Sequence, residues 1–340
     1  MSDLNRGARP WLTRPLLRAY RELRHDPDAA GEVLTRCATQ NPDDPQVLAL
    51  LGGHKFHVGE FDEAATLFSR ALSLTGPDKT LYTAIAACCE RLSHFEDAIA
   101  WRERIAAQFP ASPYNAHLLS GLQGKFEVRA SAAALRELYD DLAASWDRQY
   151  VQDRGFKLAT DAYALLTEHG VSLEDPIVLD LGVGTGAVGE CFAHTRAAIY
   201  GVDVSERMLS IARAKGAYAG LVNADLVEFL ARPEQYAVNE AWDLVVALDV
   251  FIHFDNIAEI IQSVRRLLGS GSWFLFSVRR DETIAPSTRF TRFGKYVHAD
   301  HDIFEWITEA GFRHVASREC LIYTWRQYSV RGAMYLAQAE

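Results

Sequence analysis

The sequence predicts two domains: an all-α repeat array, then an α/β domain whose mostly parallel sheet ends in an antiparallel pairing at its edge. Three observations carry this reading. Apolar and small residues recur at a period of 34 between residues 45 and 112. After residue 150, short apolar runs alternate with helical stretches, as in strand–helix–strand units. The first of those runs ends in a glycine corner at Gly182, Gly184 and Gly186.

A chain of 340 residues, 49% hydrophobic and 24% charged, is long enough and apolar enough for two soluble globular domains. No run approaches the roughly 18 apolar residues of a membrane helix. The first seventeen residues lack the apolar core of a signal peptide. The five cysteines (Cys37, Cys88, Cys89, Cys191, Cys320) show no CxxC spacing, so neither a zinc site nor a disulfide framework is expected and the expected compartment is the cytoplasm. Residues 1–130 hold 15 basic and 16 acidic side chains; the remainder holds 20 and 29, a net charge of −9. That half repels a phosphate backbone, which argues against a nucleic-acid substrate.

In the repeats, the first copy (45–78) carries Leu48, Leu51, Gly52, Gly59, Phe61, Ala64, Phe68 and Ala71. The second (79–112) answers with Tyr82, Ile85, Ala86, Ser93, Phe95, Ala98 and Ile105. Small residues at 52/86 and 64/98 let two helices of a hairpin approach, and prolines at 77 and 110 stop the second helix of each. This pattern resembles the tetratricopeptide repeat. A weaker copy precedes it at Leu17, Ala30, Leu34, Cys37 and Pro42, and a capping helix is expected around Asn115–Gly121. Arg102 stands where an apolar residue is expected, which marks the second copy as degenerate. The resemblance implies a protein partner or self-association. The small, polar stretch 121–134 reads as a linker, so the domains are placed at 1–124 and 125–340.

In the second domain, strands are expected at Ile177–Leu181, Ala198–Val202, Tyr218–Val222, Leu244–Leu248 and Trp273–Val278. Helices are expected between them, for example Ser205–Lys215 and Ile257–Leu268. Continuous apolar runs suit parallel strands covered on both faces. Phe312–Glu319 and Ala333–Ala337 read as the antiparallel pair. The glycines of VLDLGVGTG (178–186) let the backbone turn and approach a ligand lying over the strands' carboxyl ends.

Two ligands compete for such a corner. Gly184, Gly186 and Gly189 satisfy the dinucleotide pattern, with Asp203 at about the distance of a ribose-binding acid. S-adenosylmethionine is favoured by Asp180, two residues before the first glycine, where a carboxylate meets a cationic amino group and would repel a pyrophosphate. It is favoured again by Asp225 in NADL (223–226), where a carboxylate can accept from an adenine amino group.

With YGVDVSERML (200–209), WDLVVALDVFIHF (242–254) and AGF (310–312), the stretch resembles the class I S-adenosylmethionine-dependent methyltransferases. The resemblance implies that Asp180 and Gly182, Gly184 and Gly186 line the methionine portion. Asp203 would bind the ribose, with Val204 and Met208 beside it, Asp225 and Leu226 would hold the adenine, and Leu248 would close the pocket beside the sulfonium. LYDDLAASWD (138–147) resembles the helix that lids the cofactor in quinone- and small-molecule-modifying members, with Tyr139 and Trp146 at the aromatic positions.

Methyl transfer needs a general base only when the acceptor atom must lose a proton. His253 and Asp249, just past the fourth strand, are the catalytic candidates. Residues 279–301 have the length and mixed polarity of a substrate lid, in which Arg289, Arg292, Tyr296 and His298 are the candidate contacts; the arginines suit a carboxylate or phosphate. No metal site is expected. The motifs of nucleobase amino-, cytosine C5- and arginine methyltransferases are missing. The expected activity is methylation of a small or carrier-bound acceptor. The competing readings are a protein methyltransferase whose repeats recruit the polypeptide, and a non-catalytic scaffold.

Overall fold

The computed structural model describes residues 26–125, 129–236, 241–280, 289–290, 295–325 and 328–340; of 27, 289, 290, 325 and 328 it describes the backbone only. The chain divides into two compact units, Met1–Lys125 and Phe126–Glu340.

The first unit is helical: α1 Pro27–Gln40, α2 Pro45–Val58, α3 Phe61–Thr75, α4 Lys79–Arg91, α5 Phe95–Gln108 and α6 Pro113–Leu122. The hairpins α2–α3 and α4–α5 start 34 residues apart, as the repeat requires, and α6 is the expected terminal helix. Of the weaker first copy, Ala30, Leu34 and Cys37 are buried on α1, whereas Leu17 lies outside the described residues. Asp44 caps α2 by accepting from the amides of Gln46 and Val47, and Pro45 occupies the first turn, where its missing N–H costs nothing. Gly52 is small because Phe68 lies across it: a Cβ there would stand 2.9 Å from the ring. Arg102 is no defect. Its Nε and Nη2 both donate to Glu90 Oε1 (2.9 and 2.8 Å), and its carbonyl accepts from Asn115 Nδ2 (3.0 Å), so one buried polar network ties α4, α5 and α6 together.

The second unit opens with α7 Ala132–Leu142, a 3₁₀ turn at Ala143–Ser145 and a π-helical stretch, Asp147–Gln152, before α8 Leu158–Glu168. Then follow β1 Ile177–Leu181, α9 Ala187–Phe192, β2 Ala198–Asp203, α10 Glu206–Lys215, β3 Gly220–Asn223, α11 Leu226–Ala231, β4 Trp242–Ala247, α12 Ala258–Leu267 and β5 Leu268–Arg279. Two short strands, β6 Arg289–Phe290 and β7 Tyr296–Val297, pair with each other. The unit closes with α13 Asp300–Glu309, β8 Phe312–Trp325 and β9 Tyr328–Ala339.

The main sheet has the order β3-β2-β1-β4-β5-β9-β8. β1 to β5 are parallel; β9 runs against β5, and β8 against β9. The reversed strand is therefore β9, one place in from the edge, and β8 is outermost. Both strands of this pair are longer than expected, because the ladder continues to the pairing of residues 325 and 328. The two faces alternate along each strand. Leu179, Val245, Phe274 and Phe276 point to one core, and Val178, Leu244, Val246 and Leu275 to the other. Apolar runs unbroken by polar alternation follow directly from this double burial. Strand order reverses between β1 and β4, which opens a crevice beyond their carboxyl ends.

Candidate functional site

A pocket lies at that crevice. It brings together the three acids expected at successive strand ends: Asp180 in β1, Asp203 closing β2 and Asp225 just past β3. Gly182, Gly184, Val204, Met208, Leu226 and Leu248 also line it, with Tyr139 and Trp146 from the segment ahead of the sheet. Gly186 is set back from the lining; it stands at φ +93° as the residue before α9, against Ala212 and Tyr218. Gly182 is required twice over, by its φ of +81° and because a Cβ there would overlap the Val250 side chain.

Each acid is held differently. Asp203 accepts from the Gly184 amide at Oδ2 and the Ser205 amide at Oδ1, both at 2.8 Å, which fixes the glycine corner to the tip of β2. Asp180 is 1% exposed and its Oδ2 accepts from the Tyr218 hydroxyl at 2.7 Å. Burial pushes the Asp180 carboxyl up to about 7 and the Asp203 carboxyl up to about 6. Asp225 caps α11 through the amides of Val227 and Glu228, and both its oxygens accept from Arg129 Nη1 (2.8 and 2.9 Å). Two buried carboxylates this hard to ionise favour a ligand that brings a positive charge and hydroxyl donors; a pyrophosphate would face them with like charge.

The lid segment is tied down at several strand tips. Arg136 donates to the Val204 carbonyl, Ser205 Oγ donates to Asp140 at 2.6 Å, and Asp147 accepts from the Thr185 hydroxyl and pairs with Lys215. Tyr139 Oη and His253 Nε2 share a hydrogen bond of 2.7 Å, and both line the pocket. Trp146, which caps the π-helical turn, stacks on Tyr150 within it (4.1 Å, 16°). Burial raises the Tyr139 phenol well above its ordinary range, so this hydroxyl keeps its proton.

The expected acceptor side changes on several points. Asp249 lines the pocket, but both its oxygens accept from Arg279 (Nε 2.9 Å, Nη2 2.7 Å), and its backbone is held at φ +54°. That pairing fits a charge-balanced strut. Tyr296 and His298 were expected to touch substrate; instead both are interior. Tyr296 is 1% exposed, and His298, 3% exposed, donates Nε2–H to the Phe254 carbonyl, with burial depressing its pKa to about 4. Neither lines the pocket. The Arg289 side chain and Arg292 lie outside the described residues. Sequence reasoning missed Arg129, Tyr218 and Lys295. The Lys295 ammonium sits 6.0 Å from the Tyr139 ring centroid, and burial, with Arg279 nearby, depresses it to about 7. Among the described residues no cluster of three His, Cys, Asp or Glu side chains is arranged to hold a metal, and no helix is long and apolar enough to cross a membrane.

Residues 179–274 match the model of a methyltransferase domain, and residues 23–88 match a tetratricopeptide-repeat model. The second unit thus contains a methyltransferase domain, and the first contains tetratricopeptide repeats. Among curated proteins, the chain is similar to the ubiquinone biosynthesis O-methyltransferase of Bordetella avium, 32% identical over 109 residues (31% of this chain, 44% of the relative). It is similar also to that of Nitrosomonas europaea, 33% identical over 110 residues, with 31% and 44% covered. The chain therefore spans less than half the length of these relatives. Among solved structures, the magnesium protoporphyrin IX methyltransferase of Synechocystis PCC 6803 with bound S-adenosylmethionine aligns with a TM-score of 0.47 and 20% identity, over 62% of this chain and 97% of that one.

Proposed function

We propose that this protein transfers a methyl group from S-adenosylmethionine to a hydroxyl of a small-molecule acceptor. The observation that carries the reading is the convergence of Asp180, Asp203 and Asp225 on one pocket behind a glycine corner. The matches to curated O-methyltransferases support oxygen as the acceptor atom. When bound, the cofactor supplies a methyl group already activated by a sulfonium. The chain's own residues do the rest. Asp180 takes the ammonium of the methionine end, Asp203 the ribose hydroxyls and Asp225 the adenine amino group, while Val204, Met208 and Leu226 give the nucleoside an apolar seat. Leu248 and the lid aromatics Tyr139 and Trp146 exclude water and align donor with acceptor, which is most of what an in-line displacement requires. As the acceptor oxygen loses its proton, Tyr139 Oη receives it and passes its own to His253 Nε2 across their hydrogen bond. The repeats recruit a partner or a second copy of the chain.

The test is transfer of labelled methyl from S-adenosylmethionine into lysate. Label in a low-mass fraction, sensitive to Tyr139→Phe and His253→Ala, is expected. Label in protein bands would favour the polypeptide-substrate reading instead, and label in neither fraction would remove both.

A further inference from the structure

We propose that Tyr218 is a positioning residue that tunes the glycine corner to a cationic ligand end, by orienting the Asp180 carboxylate while occupying an amide of α9. The inference rests on the S-adenosylmethionine reading and adds a residue to that site. Tyr218 lies between α10 and β3, ahead of the strand in which the sequence pattern puts it. Its O–H donates to Asp180 Oδ2 at 2.7 Å, and the same oxygen accepts from the Gly189 amide at 3.1 Å. One phenol thus bridges the acid at the tip of β1 and the first turn of α9. The glycines make room for it. A Cβ at Gly189 would stand 2.5 Å from Tyr218 Cε2, and one at Gly186 would stand 3.2 Å from the same atom. The last two glycines of the G-x-G-x-x-G pattern, which as bare sequence also suits a pyrophosphate, here accommodate an aromatic ring.

Two consequences follow from this arrangement. The Gly189 amide is engaged by protein and is not presented to a ligand phosphate. The Asp180 carboxylate, 1% exposed, is held in one orientation by a donor that keeps its proton, because burial and the neighbouring carboxylate raise the Tyr218 phenol far above its ordinary range. A fixed carboxylate facing the pocket loses little freedom when it meets an ammonium. Tyr218→Phe keeps the ring that fills the glycine gap and removes only the hydroxyl.

The experiment compares two probes by calorimetry on the full chain and on Tyr218→Phe. S-adenosylhomocysteine carries the ammonium; 5′-methylthioadenosine shares its nucleoside thioether and lacks the amino-acid end. The expected result is a loss of about tenfold or more in S-adenosylhomocysteine affinity, the scale of one hydrogen bond to a charged group, with 5′-methylthioadenosine affinity changed by less than about twofold. Equal losses for both probes would assign Tyr218 to packing and overturn the proposal, as would no loss for either. A wild-type chain that binds neither probe would overturn the cofactor reading and this inference with it.

Discussion

Asp180 and Asp203 are two acids that the folded, ligand-free chain holds in a form reluctant to ionise. Tyr218 and Asp203 face Asp180; Asp140, with the amides of Gly184, Val204 and Ser205, faces Asp203. Because their folded pKa values, about 7 and about 6, lie above the ordinary 3.8, the folded state binds more protons than the unfolded chain across that interval. Stability of the ligand-free protein should therefore fall as pH rises from about 4 to about 7, and thermal melts across that range check it. A cationic ligand end requires the ionised carboxylate, so S-adenosylhomocysteine affinity should move the other way, rising to a plateau above about pH 7 with proton release on binding below it. Affinity that is flat over this range would contradict the assignment of Asp180 to the ammonium. The three acids were legible in the sequence because each follows an apolar run at a strand end. Tyr218, Arg129 and Lys295 were not. A residue that acts by reaching across the fold to one side chain leaves no periodicity and no local spacing to read.

Between residues and the whole chain stand the elements, and here the buried Glu90–Arg102 pair has a measurable weight. Arg102→Ala would leave Glu90 buried without its guanidinium, at a cost of about 3–5 kcal/mol in the stability of the repeat unit. Replacing both, as Glu90→Leu with Arg102→Met, should recover most of that loss. Denaturant unfolding of the two variants decides it; equal destabilisation by the single and double changes would show that packing, not charge, is the cause. The helices of this unit were legible because their period repeats over two copies, and the buried pair was not, since an arginine on an apolar stripe reads as decay until its partner is seen. The parallel strands were legible as continuous apolar runs. The full length of β8 and β9 was not, because β8 mixes exposed and buried residues along the edge. The π-helical turn that presents Trp146 and Tyr150 left no sequence signal, since it differs from an α-helix only in backbone register.

For the whole molecule, an acidic methyltransferase domain follows a repeat array of almost balanced charge. In the proposed function the first recognises a partner and the second carries the chemistry. In that reading the glycine corner and three strand-tip carboxylates of the second unit hold S-adenosylmethionine and not a nicotinamide nucleotide. Calorimetric titration of the full chain with S-adenosylhomocysteine and, in parallel, with NAD tests this most directly. The expected result is one-to-one binding of S-adenosylhomocysteine in about the micromolar range, abolished by Asp203→Ala, and no heat with NAD. Binding of NAD, or S-adenosylhomocysteine binding that survives Asp203→Ala unchanged, would contradict it.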